Sequence, residues 1–456
     1  MADYLDTIAA FIADTRYESI PPEALDAARW ILLDTLGGTL ASSTLDETRR
    51  FATFAAAQSG RADCTLVGFA ERADRLYAAM LNSTSACSYE TDEGSRFGGG
   101  HPAIHIVPPA LAEAEFRHAG GKELLTTIVV AYEVMSRLAS GGPSRWPIHS
   151  HGTHGSPGSA AAVASLRRMD APAIRNVLNL AACMSPATTW KVCFEGGTVR
   201  NLFSAESCLL GMLAVDLAAC GYTGAEDGPS EMFGQVLGQG TYDTAKVVQG
   251  LGRQWRVTAN YFKLHASCAI THPSLDATYN ILRERPLDAG EIEAINVHQG
   301  GLARHLAYDD PANMLSAKFS IPYSVAAAVV RGDTGITAFR APALDDPAIR
   351  ALATRVVVHD DPAAASLPPS ERVTRVEVRL TDGHTLRSET RIVRGDAENP
   401  VERAVLLDKF RFLAGQRCDE ATVAAIYDRV MHIDDVGDVA SLHDALTGAA
   451  MAGHPA

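Results

Sequence analysis

The sequence predicts a mostly α-helical protein with an α+β part. A large all-helical domain is formed by both chain ends, residues 1–270 and 399–456, and a smaller α+β domain is inserted at 271–398. Three observations predict this. The first 265 residues carry Ala- and Leu-rich runs at helical spacing, without the period of two that marks half-buried strands. After about residue 285, alternating β-branched segments appear, two of them joined by an Asp-Gly turn. From Asn399-Pro400 onward the helical spacing resumes.

Taken in order, Leu25, Ala28, Leu32 and Leu36 recur at helical spacing after Pro21-Pro22. A proline near the start and the Gly37-Gly38 pair later fit one helix. Further helical runs are expected at 108–118, 122–139, 158–168, 171–184 and 204–219, packed helix on helix. Glu291–His298 reads as a strand. Val373–Leu380 reads as another, turning at Asp382-Gly383 into a third over Thr385–Val393. Pro322–Val330 reads as an apolar helix between them. Helices follow around Val405, Phe410 and Leu413 and over Ala421–Val430, and the last residues, 447–456, read as a frayed end.

Composition narrows the function. Forty Lys and Arg against 54 Asp and Glu give a net charge of -14 over 456 residues, which argues against nucleic acid or an anionic membrane as partner. No uninterrupted apolar run reaches the roughly 18 residues of a membrane helix. The N-terminus carries acids early and lacks a cationic region, so it does not read as a signal peptide. Eight scattered cysteines without a CxxC pair suggest neither zinc nor a redox motif. They fit reduced thiols and a cytoplasmic location.

Four polar clusters beside Gly or Pro are candidates for chemistry. Tyr89–His105 places Glu90, Asp92 and Glu93 before a glycine triplet and His101-Pro102, so an acid and a histidine share one loop. Trp146–Ser159 holds His149, His151 and His154, then Ser156 at the start of an Ala-rich helix. No carboxylate follows at useful spacing, so an anion at the helix mouth is a better reading than a metal. Arg200 follows a Gly-Gly turn, and its planar fork suits a carboxylate. Lys263, His265, Cys268 and His272 lie in an apolar stretch, where a buried lysine needs an anionic partner.

Together these segments resemble the MmgE/PrpD family over essentially the whole length. The resemblance rests on PPEALDAARWILLDTLGGTLA (21–41), the acid cluster followed by GGHP (99–102), and GTHGSPGSAAAVA (152–164). It continues through YFKLHASCAITHPSLDA (261–277), AKFSIPYSVA (317–326) and GDAENPV (395–401). It implies a homodimer with its active site between the two domains and with no metal or organic cofactor. The expected ligand is a small di- or tricarboxylate, and the expected chemistry is that of a 2-methylcitrate dehydratase-like hydro-lyase. The family also holds iminodisuccinate epimerases and cis-aconitate decarboxylases, and a non-catalytic polycarboxylate binder and a metal-dependent hydrolase stand as further alternatives.

Residue by residue, the family's acidic loop maps to Glu90, Thr91, Asp92, Glu93 and Gly94, with a longer acid at Glu90. Its two histidines map to His101 and His154, its helix-mouth lysine to Arg200, and its later lysine to Lys263. Cys268 stands where some decarboxylases carry a histidine. The resemblance thus implies catalytic roles for His101, His154, Glu90, Asp92 and Lys263. It implies substrate contacts for Arg200, Lys263, Ser156, Cys268 and His272. The shared step would be proton transfer at the carbon next to a carboxylate, between two imidazoles and against positioned cations.

Overall fold

A computed structural model describes residues 3–98, 100–362 and 373–447. The frayed end expected from residue 447 lies, from 448 on, outside the described residues. The structure is mostly helical, with one four-stranded sheet and short two-residue ladders.

The principal helices are α1 (Tyr4–Asp14), α2 (Pro22–Ser42), α3 (Asp46–Gln58), α4 (Arg75–Ser88), α5 (Pro102–Arg117) and α6 (Gly121–Ser140). They continue with α7 (Gly155–Leu166), α8 (Ala171–Cys183), α9 (Phe203–Ala219), α10 (His272–Glu284), α11 (Ile321–Arg331), α12 (Arg403–Ala414) and α13 (Glu420–Met431). Their starts follow local chemistry. Asp3, Asp74, Asp170 and Asp419 accept backbone N–H groups at the starts of α1, α4, α8 and α13, while Pro22 opens α2.

Helix α2 runs through Gly37-Gly38 because both glycines sit at close approaches. A Cβ at Gly37 would lie 3.1 Å from the Phe410 ring, and one at Gly38 would lie 3.1 Å from Thr91 Oγ1. Helix α5 starts at Pro102, well before the expected 108, and continues through Pro108 and Pro109. Neither proline can donate to the carbonyl four residues back. The two freed carbonyls find side chains instead: Ser83 Oγ donates to Ile104 O at 2.7 Å, and Ser159 Oγ to His105 O at 2.6 Å. Buried backbone acceptors are thereby satisfied and the helix is not broken.

The sheet has the order β2-β1-β3-β4, with β1 Ile292–Gln299, β2 Val356–His359, β3 Thr374–Leu380 and β4 Thr385–Thr390. β1 pairs parallel with β2 and antiparallel with β3, and β3 and β4 form the hairpin expected from Asp382-Gly383. Gly383 takes φ +89, the left-handed conformation that the turn requires. Helices α10 and α11 pack on this sheet, and burial alternates along β3. The last strand stops at Thr390 instead of Val393, and the short parallel strand β2 goes unread in the sequence.

One apolar core joins α1, α2, α5, α6 and α7 to residues 406–446, and so draws on both ends of the chain. A second core holds α10, α11 and the sheet, and takes in Ala41, Tyr89, Cys193 and Leu413 from the helical part. Thr198–Ala219 is long and apolar enough to cross a membrane by length and composition alone. Its helix α9 is built into the protein, against α4, α5, α7 and α8.

Phe410 is 1% exposed and faces Gly37 across the α2–α12 contact. Phe410→Ala is expected to cost about 3–5 kcal/mol, read as a lowered urea midpoint. A change below about 1 kcal/mol would mean that α12 does not hold this core.

Candidate active site

The acids of the 89–93 segment do not form a solvated loop. Glu90, Asp92 and Glu93 are 1%, 3% and 0% exposed. They follow directly on α4, and Glu90 takes φ +56, a left-handed conformation uncommon for a residue with a side chain. Just beyond them Gly94–Ser95 pairs antiparallel with Asn260–Tyr261. A Cβ at Gly94 would fall 2.3 Å from the Tyr261 ring, so only glycine permits this approach. Arg96 binds both oxygens of Asp396, at 2.7 and 3.0 Å, and its guanidinium lies 4.0 Å over the Tyr261 ring. Phe262 N donates to Gly395 O at 3.0 Å. The 395–401 motif therefore fixes the strand that carries Lys263.

This ladder brings Lys263 against the acids. Its Nζ lies 3.0 Å from Glu90 Oε2 and 3.1 Å from Asp92 Oδ1, and Arg200 pairs with the other oxygen of Glu90. Arg200 sits in the short turn Thr198–Leu202 and is 1% exposed. Two carboxylates and two cations thus form one closed network. Burial pushes the Asp92 carboxyl up, but Lys263 and His101 overcome this and hold it well below the usual carboxylate range. Burial raises Glu93 to about 8. Its oxygens meet Ala103 N at 2.6 Å and Tyr132 Oη at 3.1 Å, which ties it to the start of α5.

His101 precedes α5. Its Nδ1 lies 2.7 Å from Asp92 Oδ2 and 2.6 Å from Glu93 O. Both neighbours accept, so the proton belongs on Nδ1 and the lone pair on Nε2.

The 149–154 segment differs from the expectation. His154 is not brought to the network: its ring packs 4.5 Å from Phe233, in a small pocket with Met135 and Ser136, and burial lowers it to about 4. Gly152 takes φ +90 between the histidines and turns the chain, so residues on its two sides face different ways. His151 faces the site instead, 4.6 Å from His101 between ring centres, with Nε2 3.5 Å from Arg200 Nη2. His149 packs 4.8 Å from His151 and 4.0 Å from Trp190. Its Nδ1 accepts from His151 N at 2.8 Å, which assigns its proton to Nε2. That Nε2 and Arg200 Nε are both buried, with no hydrogen-bond partner among the described residues. Burial and the neighbouring Arg200 hold His149 and His151 well below the usual imidazole range, so both are neutral.

The remaining expected residues spread out. Cys268 is buried near the network, its N bonded to Lys318 O at 2.9 Å, and burial raises its thiol to about 11. His272 opens α10, lies 3.1 Å from Ser267 O and makes no direct contact with the acids. Ser156 is buried on α7, with its Oγ unpartnered among the described residues. Cys87, unremarked in the sequence, accepts from Arg200 Nη1, and burial raises it to about 12. The signal for His149 and His151 was their place in the same segment as His154, but the turn that sorts them is a backbone feature.

Asp92, His101 and His151 each bring a ligand atom within 4.8 Å of the others. A dication there would sit against Lys263 and Arg200, which already balance Glu90 and Asp92. The donor set therefore suits proton transfer and anion binding better than a metal.

Two family models match this chain: the MmgE/PrpD N-terminal domain over residues 6–240 and the MmgE/PrpD C-terminal domain over 265–433. The cis-aconitate decarboxylase-like protein oryM of Aspergillus oryzae is 24% identical over 475 aligned positions, covering 96% of each chain. A cis-aconitate decarboxylase of Aspergillus terreus is 23% identical over 466 positions, covering 94% of this chain and 93% of its own.

The network sets a sign for acid stability. The folded Asp92 carboxyl lies below its unfolded value of about 3.9, so its stabilisation is complete above about pH 4 and is lost as the pH falls further. Lys263→Met leaves two buried carboxylates short of a cation. It is expected to cost about 3–5 kcal/mol at neutral pH and to flatten the loss of stability on acidification, because the folded Asp92 carboxyl then rises toward its unfolded value. Urea midpoints from pH 3 to 8 measure both, and superimposable curves for variant and parent would remove Lys263 as the counter-ion.

Proposed function

This chain belongs to the MmgE/PrpD family, and we propose that it is a lyase. In this reading it acts on a small di- or tricarboxylate, by proton transfer at the carbon next to a carboxylate, without a metal or organic cofactor. The observation that carries the reading is the pair of buried, unpartnered donors, Arg200 Nε and His149 Nε2, beside an imidazole oriented by Asp92. Buried donors are rarely left unpaired, and two of them in one site match the acceptor oxygens of a carboxylate.

The roles follow from these contacts. Arg200 keeps Nε for substrate while its other nitrogens meet Glu90, Cys87 and His151. Lys263 is committed to Glu90 and Asp92, so it sets the charge of the acid loop and does not grip substrate directly. His101, with Nδ1 held, removes the proton through Nε2. The negative charge that develops on the substrate carboxylate is stabilised by Arg200 and by the His149 N–H. His101, now carrying that proton, returns it to the departing hydroxide, and a proton for the opposite face of the carbon comes from solvent, since His149 and His151 are neutral. A leaving hydroxyl at the next carbon gives dehydration, and a proton returned to the opposite face gives epimerisation.

A second reading is decarboxylation, favoured by the names of the two fungal relatives matched across their length. There the bond to a carboxyl carbon breaks, carbon dioxide leaves, and the carbanion takes up a solvent proton relayed through His101. Cys268, a neutral thiol at this wall, argues for the first reading, since it offers no cationic donor.

Incubation with a panel of di- and tricarboxylates in D₂O, followed by NMR, separates these outcomes. Alkene signals with loss of hydroxyl are expected. Carbon dioxide release would select the second reading, and deuterium gain without elimination would make the enzyme an epimerase. His101→Gln is expected to lower kcat by about 10²-fold or more, and Arg200→Lys to raise KM. Exhaustive chelation is expected to leave the rate unchanged. Full activity of His101→Gln would overturn the assignment of the base.

A further inference from the structure

The acid loop 88–92 carries Glu90 and Asp92, yet Glu90 sits in a left-handed conformation and the loop follows the C-terminal end of α4, where backbone carbonyls lack helical partners. Something outside the loop has to hold it. Two lysines, one buried and one half-buried, 91 positions apart in the chain, do so at its two ends.

Lys318 closes the short helix Met314–Lys318, just before α11, and is 0% exposed. Its Nζ donates to Ser88 O at 2.8 Å and lies 4.9 Å over the ring of Tyr89. Lys409 comes from α12, and its Nζ donates to Thr91 O at 2.7 Å and pairs with Asp34 of α2 at 2.5 Å. The glycine at position 38 of α2 lets Thr91 come this close. The carbonyls just before Tyr89 and just after Glu90 are thus each tied to an amine from a different part of the molecule. Among the described residues neither amine pairs with Glu90 or Asp92, which take their charge balance from Lys263 and Arg200.

We propose that Lys318 and Lys409 are positioning residues that clamp the acid loop from opposite sides and so hold Asp92 against His101. The proposal rests on the reading of Asp92 as the partner that orients the catalytic imidazole. Burial lowers the Lys318 amine to about 7, with Arg200 lowering it further and Glu90 and Cys87 opposing. Near neutral pH it is therefore divided between charged and neutral forms, both of which donate a hydrogen bond. That suits a tether to a carbonyl better than a counter-ion. Lys409 plays the same part with Asp34 as its anion.

The test uses Lys318→Met and Lys409→Met in the full chain, with Lys409→Arg as the variant that keeps a donor. Amide hydrogen exchange of residues 90–93 is expected to speed up at least tenfold in both methionine variants, with α6 unchanged. For turnover in the D₂O assay, kcat is expected to fall at least tenfold while KM stays within threefold. Lys409→Arg is expected to restore exchange protection and most of kcat. Exchange unchanged in both methionine variants would overturn the clamp. Faster exchange with kcat unchanged would overturn the positioning role. Should the parent show no turnover on any carboxylate, the proposed function fails on its own, and hydrogen exchange still decides whether the lysines hold the loop. Lys409 is the less buried of the two, so its variants serve if Lys318→Met does not fold.

Discussion

The site depends on how charge is balanced in a place that water does not reach. Glu90 and Asp92 are buried, and a buried carboxylate without a partner is costly enough to be protonated or to unfold its surroundings. Lys263 and Arg200 remove that cost only because the ladder of Gly94–Ser95 with Asn260–Tyr261, and the turn at 198–202, deliver them to the right oxygens. Much of the nearby structure serves this delivery: the missing side chain at Gly94, the Arg96–Asp396 pair, and the contact of Gly395 with Phe262. The chain as a whole carries -14, but that charge is mostly at the surface, where salt screens it within about 8–10 Å. A substrate carboxylate inside the site responds to the donors it touches.

Much of this is legible in the sequence, and the reasons are local. Helices α6, α7, α8 and α9 stand within a few residues of the apolar runs that predict them, and Asp382-Gly383 marks its hairpin by turn chemistry alone. Lys263 reads as a buried cation in need of an anion, and its anions are Glu90 and Asp92. The proline-bearing start of α5 does not read, because its two lost hydrogen bonds are replaced by serines on α4 and α7. Strand β2 is only four residues long and takes its identity from a parallel neighbour.

The histidines show where reading stops. His149, His151 and His154 lie within six positions, and which of them meets Arg200 goes with the backbone angle at Gly152 and the non-helical backbone of His151 before it. Residue type and spacing carry no record of that angle. The same holds for Lys318 and Lys409, whose acceptors are main-chain carbonyls 230 and 318 positions away, and a carbonyl has no signature in sequence. What the sequence does not carry here is the direction of side chains and the use of backbone atoms as partners.

Those separations have a consequence for how the protein is made. Glu90 meets its lysine 173 positions later, and the loop that bears it gains its last tether 318 positions on. Contacts between distant positions form slowly, because the intervening chain must be ordered first. As the ribosome releases this chain from its N-terminus, helices α4 to α9 can already pack while the carboxylates of residues 90 and 92 still lack Lys263. Until α12 has emerged they belong to an unfinished pocket open to water. The active centre is therefore among the last parts of the protein to mature, although its acids are among the first to be synthesised.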